Sequence, residues 1–92
     1  MDKTLILRIE GRVQGVGYRA WAVRAARGLQ LSGWVRNCAD GAVEALISGP
    51  GEAVDRFLAA AHRGPPAAQV SRVTAEPSAV TAPLPFSERP TV

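Results

Sequence analysis

The stretch that most limits how this chain can fold is Gly11-Arg12-Val13-Gln14-Gly15-Val16-Gly17-Tyr18-Arg19, because it joins two different periodicities. Before it, Leu5, Leu7 and Ile9 alternate with Ile6, Arg8 and Glu10, which reads as a half-buried strand over Thr4–Glu10. After it, Tyr18, Ala22, Ala25, Ala26 and Leu29 fall at helical spacing and form the stripe of an amphipathic helix. The chain therefore turns from strand to helix within a few residues, and glycine tolerates the backbone angles that such a turn needs. The first N–H groups of a helix have no partner within it, and the helix dipole makes that end positive. Two readings fit: a plain strand-to-helix turn, or a ring of backbone donors that cradles a phosphate or carboxylate with Arg19 beside it. Arg19 alone reads either as that cation or as a solvated arginine. The spacing is neither the dinucleotide fingerprint nor a Walker A loop, which needs Lys followed by Ser or Thr.

The rest of the chain alternates in the same way. Gly28 marks the end of the first helix. Leu31–Asn37 reads as a second strand, Asp40-Gly41 as turn chemistry and Val43–Ser48 as a third strand, so the second and third strands form an antiparallel hairpin. After Gly49-Pro50-Gly51, a second helix over Glu52–His62 carries Val54, Phe57, Leu58 and Ala61 on one face. Its acidic residues Glu52 and Asp55 come early and His62-Arg63 late, as the dipole favours. Gly64-Pro65-Pro66 stops it. Ala68–Glu76 reads as a fourth strand, and Ala68, Val70 and Val73 break its two-residue parity, which predicts a bulge. From Pro77 onward Pro83, Pro85 and Pro90 predict irregular chain, with room for a short edge strand near Phe86–Arg89.

The order βαββαβ predicts an α+β, ferredoxin-like split βαβ fold: an antiparallel sheet with two helices on one face, in a single domain over residues 1–92. That fold hosts many functions, so function has to be read from particular residues.

Aromatic residues make up 5% of the chain, so Ala, Val and Leu must fill most of the core. The net charge of +3 comes from basic residues that are nearly all Arg and are scattered, which fits either plain solubility or an anionic partner. One cysteine, Cys38, permits no intrachain disulfide, in keeping with a reducing compartment. With no signal-peptide layout and no apolar run of spanning length, the expectation is a cytoplasmic protein without a membrane partner. The lone His62 and Cys38 lack the company of other metal ligands, so no metal or cofactor is expected. His62 reads as a helix-terminal surface residue, and Cys38 as no nucleophile. Asn37 ends a strand just before a turn, where Asn is common for local reasons.

Two runs together carry a resemblance. Residues Gly11 to Arg19 resemble the first signature of the acylphosphatase family. Gly33-Trp34-Val35-Arg36-Asn37, followed by Asp40-Gly41 and Val43-Glu44, resembles the second. Gly64-Pro65, Ala68, Val70 and Val73 match the family's spacing after its second helix, so the resemblance covers roughly residues 4–76. It departs near the end, where Glu88 stands at a position usually apolar, and this weakens the expectation of a regular last strand.

The resemblance implies hydrolysis of acyl phosphates to a carboxylate and inorganic phosphate, the latter both product and inhibitor. Arg19 matches the family's phosphate-binding arginine, and Asn37 its catalytic asparagine, which positions the attacking water. The backbone N–H groups of Gly15, Val16, Gly17, Tyr18 and Arg19 match its phosphate loop. A small-molecule substrate, no nucleic acid and a monomeric state complete the expectation. The chemistry agrees: a carboxylate is a good leaving group, so positioning and charge stabilisation carry most of the work. Arg meets two oxygens with a planar fork, and Asn, which does not titrate usefully, can still accept from water. The alternatives are a non-catalytic binder of small phosphates and a nucleic-acid-binding module of the same topology. RNA-binding domains stack bases on sheet aromatics, and Thr4–Glu10 and Val43–Ser48 contain none.

Overall fold

The computed structural model describes all residues, Met1–Val92. The elements run β1 (Asp2–Arg12), α1 (Tyr18–Gly28), β2 (Ser32–Asn37), β3 (Val43–Pro50), α2 (Gly51–Ala61), β4 (Gln69–Pro77) and β5 (Ser87–Glu88). They form one five-stranded sheet in the order β4-β1-β3-β2-β5. The four long strands pair antiparallel, and β5 adds to β2 in parallel, so the sheet is mixed. This is the expected ferredoxin-like arrangement with the short fifth strand present. No helix is long and apolar enough to cross a membrane.

The period-2 pattern sets the register. Leu5 lies opposite Ile47, Leu7 opposite Ala45 and Ile9 opposite Val43, so one face of the β1–β3 pair is continuously apolar. On that face Tyr18, Ala22 and Ala26 of α1 and Val54, Phe57 and Ala61 of α2 pack into a single core, which places both helices on one side. Fully burying a side chain such as Phe57 or Leu7 is worth about 1.5–3 kcal/mol, which is how two short helices are held. The other face carries a smaller apolar row in which Ile6 and Trp34 flank Leu46 by direct register. Leu46 is thus buried on the face opposite the main core, and Arg36 and Arg89 stack over the Trp34 ring at 4.4 and 5.3 Å.

The parity break in β4 is a bulge. Glu10 pairs with Arg72, but Gly11 pairs with Val70, which leaves Ser71 as the extra residue. Both Val70 and Val73 can then pack against the core. Gly11 allows this close approach, since a Cβ there would lie 2.3 Å from the Gln69 carbonyl oxygen.

Several element ends differ by one or two residues from the sequence expectation, and two of these differences are informative. Strand β1 runs two residues further at each end than Thr4–Glu10. Gly28 is the last helical residue of α1, but the residue that reverses the chain is Gln30, at φ 58°. The Gln30 N–H bonds the Arg27 carbonyl and the Leu31 N–H bonds the Ala26 carbonyl, a Schellman ending built without glycine in its left-handed place.

Beyond Pro77 the chain is irregular but anchored. Phe86 is fully buried and packs near Phe57, with ring centroids 6.2 Å apart. Arg27, near the end of α1, donates from Nε to the Phe86 carbonyl at 2.9 Å. Backbone bonds from Gly33 to Pro83, from Arg89 to Val35 and from Val92 to Asn37 then lay this segment along β2.

Candidate active site

Strand β1 delivers the chain to a loop, residues 13–17, that ends on the N-terminus of α1. Gly15 and Gly17 sit at φ 72° and 83°, in the left-handed region that side chains with a Cβ resist. A Cβ at either glycine would meet no protein atom within 4 Å, so the requirement is conformational and not one of crowding. The turn leaves the N–H groups of Gly15, Val16 and Gly17 with no backbone carbonyl to bond. Gly17 caps α1 without a side-chain hydrogen bond, and the first turn holds no acidic residue. The helix itself therefore supplies no acidic side chain or side-chain cap to its positive end.

Beneath the loop, Tyr18 is buried, and its hydroxyl donates to the Ala61 carbonyl at 2.7 Å, tying the start of α1 to the end of α2. Burial pushes the Tyr18 phenol well above its ordinary pKa, so it stays protonated. Val16 packs its side chain against the core. These two residues hold the loop from below while their backbone remains at its rim.

A cavity of about 160 Å³ opens here, lined by Gly15, Gly17, Tyr18 and Arg19 from the loop and helix, with Asn37 from the end of β2. The structure thus brings together the two side chains singled out by sequence, although 18 positions separate them along the chain (37 minus 19). The volume suits a small ionic group and is below the range of sites that enclose a whole drug-sized ligand. Larger depressions lie along α2, including one of about 680 Å³ near Met1, Gly51 and Asp55, but they contain no comparable convergence of unpaired N–H donors and a guanidinium. Val16 is not part of the cavity wall.

The Asn37 carboxamide makes no hydrogen bond within the protein, so both its donor and acceptor sides are available. Its backbone is held: the Asn37 carbonyl accepts from Val92, and the strand register places it opposite Val43. Arg19 is partly exposed, and its Nε lies 3.6 Å from Glu88 Oε1.

Two residues in the cavity wall were not anticipated as functional. Gln14 donates from Nε2 to the carbonyls of Cys38 and Ala42, both at 2.8 Å. Its position inside the glycine-rich run was the only available signal. Glu88 was noted as a departure near the end of the chain, and it proves to line the cavity.

Cys38, His62 and two further side chains, Arg36 and Trp21, take structural places. Cys38 is buried; its thiol is pushed up by burial first, then by Glu44 and Asp40, which disfavours a thiolate. His62 is exposed at the end of α2, with Nδ1 2.9 Å from the Leu58 carbonyl. Arg36 pairs with Glu44 at 2.8 Å on the far face of the sheet, away from the cavity. Trp21 packs edge-on to Tyr18 at 5.2 Å. No three His, Cys, Asp or Glu side chains converge in a way that could hold a metal ion.

The family model "Acylphosphatase" matches residues 5–85. An acylphosphatase of Rhodospirillum rubrum is 51% identical over 90 residues, covering 98% of this chain and 99% of that protein. Among solved structures, an acylphosphatase from Coxiella burnetii superposes with a TM-score of 0.91 at 33% identity, covering 96% of this chain and 93% of the other. An acylphosphatase from Bacillus subtilis gives 0.89 at 34%, covering 97% and 99%.

Proposed function

The chain belongs to the acylphosphatase family and acts as an acylphosphatase, and we propose that it does so with Arg19 and the Gly15–Arg19 backbone gripping the phosphoryl group and Asn37 aligning water. The observation that carries this reading is the shared cavity, into which one loop, one helix start and one strand end converge.

The substrate is an acyl phosphate, bound through its phosphoryl oxygens. N–H groups of the loop and the Arg19 fork donate to those oxygens, charge-assisted bonds worth about 1.5–3 kcal/mol each. The acyl part projects out of a cavity too small to enclose it. The Asn37 carboxamide oxygen accepts from a water molecule and holds it in line with the scissile P–O bond. As water adds to phosphorus, the P–O bond to the acyl group breaks, and its electron pair leaves with the carboxylate. The water proton passes to a phosphoryl oxygen, so the products are a carboxylate and dihydrogen phosphate. No protein acid is needed for such a leaving group. The role of the cradle is to stabilise charge on the equatorial oxygens as the bond loosens.

We further infer that the chain works as a single-domain monomer in the cytoplasm, on small molecules and without nucleic acid. The sheet aromatic Trp34 is 7% exposed and covered by two arginines, which supports a surface not built for stacking bases.

The test is metal-free hydrolysis of a synthetic aromatic acyl phosphate by the wild type and by Arg19→Ala, with circular dichroism as the check on folding. The expected result is competitive inhibition by inorganic phosphate in the wild type and nearly complete loss of activity in the variant. A folded Arg19→Ala protein with normal turnover would overturn the assignment.

A further inference from the structure

We propose that Glu88 is an affinity-setting residue of the phosphate pocket: its carboxylate lies on the Arg19 side of the cavity and competes with phosphate for that guanidinium. The inference rests on the reading of Arg19 as the phosphate cation.

Three observations carry it. First, β5 runs parallel to β2 with Glu88 opposite Val35, two residues before Asn37, and bonds from Arg27 to Phe86 and from Arg89 to Val35 fix the backbone on either side. The carboxylate is therefore delivered to the cavity by anchored chain. Second, Glu88 lines the cavity together with Gly15, Gly17, Arg19 and Asn37, and its one ionic partner is Arg19. Third, the pair is loose. At 3.6 Å it lies outside normal hydrogen-bond length, with the two side chains 37% and 47% exposed. Such a contact adds little to stability, since half-exposed ion pairs are worth little. It nonetheless puts a negative charge a few ångströms from where a phosphate dianion would sit. Two oxyanions cannot both use one guanidinium without repelling each other.

The consequence is a weaker grip on phosphate than the cradle alone would give, which limits inhibition by the product. The neutral isostere removes the competing charge and keeps the shape, so Glu88→Gln should bind inorganic phosphate more tightly, by on the order of fivefold. Glu88→Ala should move the same way, and the gap from wild type should narrow as salt is raised.

The experiment is calorimetric titration of inorganic phosphate into wild type, Glu88→Gln, Glu88→Ala and Arg19→Ala, at one neutral pH and constant ionic strength. Tighter binding in both Glu88 variants, with weakened binding in Arg19→Ala, supports the proposal. Unchanged or weaker binding in the Glu88 variants, while Arg19→Ala still loses affinity, overturns it and makes Glu88 a mere support for Arg19. Undiminished binding in Arg19→Ala would instead overturn the reading of the cradle itself.

Discussion

Gln14 and Cys38 join the two halves of the proposed active site: the Gln14 carboxamide donates to the Cys38 carbonyl at 2.8 Å, and a second bond of equal length reaches the Ala42 carbonyl. One side chain of the glycine-rich loop thereby grips both sides of the turn that follows Asn37. The loop proposed to hold phosphate and the strand end that presents Asn37 come from distant parts of the chain, and Gln14 ties one to the other.

Replacing Gln14 should uncouple these halves without unfolding the protein. The Cys38 carbonyl also accepts from Gly41, and the Ala42 carbonyl from Cys38, so neither is orphaned by the change. Gln14→Ala should cost about 1–2 kcal/mol of stability in a denaturant titration. Misplacing Asn37 relative to the phosphoryl group should cost more in rate, a fall in kcat on the order of 10-fold to 100-fold.

Phosphate should stabilise the fold through the bare start of α1. At a phosphate concentration of about 100 Kd the gain is about 2.7 kcal/mol, readable as a rise in Tm. Arg19→Ala should show little of this rise at the same concentration.

The end of α1 offers two independent stabilising changes. Gly28 is helical, lacks a positive φ, and a Cβ there would meet nothing within 4 Å. Gly28→Ala should raise stability by about 0.4–1 kcal/mol through the unfolded chain. Gln30→Gly should gain about 0.5–1 kcal/mol by relieving a left-handed residue. Denaturant midpoints measure both, and activity should not change, since neither residue lines the cavity.

The hairpin turn beside Asn37 should be sensitive to acid. The Asp40 carboxyl accepts from the Ala42 N–H at 3.1 Å and pairs with Arg8, and these contacts, the first most strongly, hold it below the usual carboxylate range. A depressed pKa in the folded state favours folding above the unfolded value, about 3.9, and that contribution disappears as pH falls through the folded value. Stability of the wild type should thus decline with falling pH below about 4. Asp40→Asn should flatten that part of the slope in a series of denaturant titrations.

Most of the fold was legible because its elements bury one face each. The alternation of Leu5, Leu7 and Ile9 and the stripe from Tyr18 to Leu29 record which side meets the core. Even the bulge at Ser71 left a trace, since Val70 and Val73 can share a face only if the strand slips by one residue. The end of α1 was harder to read: Gly28 has the right composition for a stop, but the reversal falls on Gln30, whose conformation is held by the Leu31 and Gln30 N–H bonds. Arg19 and Asn37 stood out through motif resemblance, not through periodicity. Gln14 and Glu88 stayed hidden because their roles depend on partners 24 and 69 positions away (38 minus 14, 88 minus 19), which no local pattern encodes.

The division of labour between grip and alignment is tested most directly by Asn37→Ala, with kcat for an aromatic acyl phosphate and Kd for inorganic phosphate measured on the same folded preparation. The expected result is a kcat lower by 10²-fold or more, as for loss of a preorganised catalytic group, with Kd within about twofold of wild type. A variant that hydrolyses the substrate at the wild-type rate, or that loses phosphate affinity in step with kcat, would contradict the role of Asn37 in aligning water.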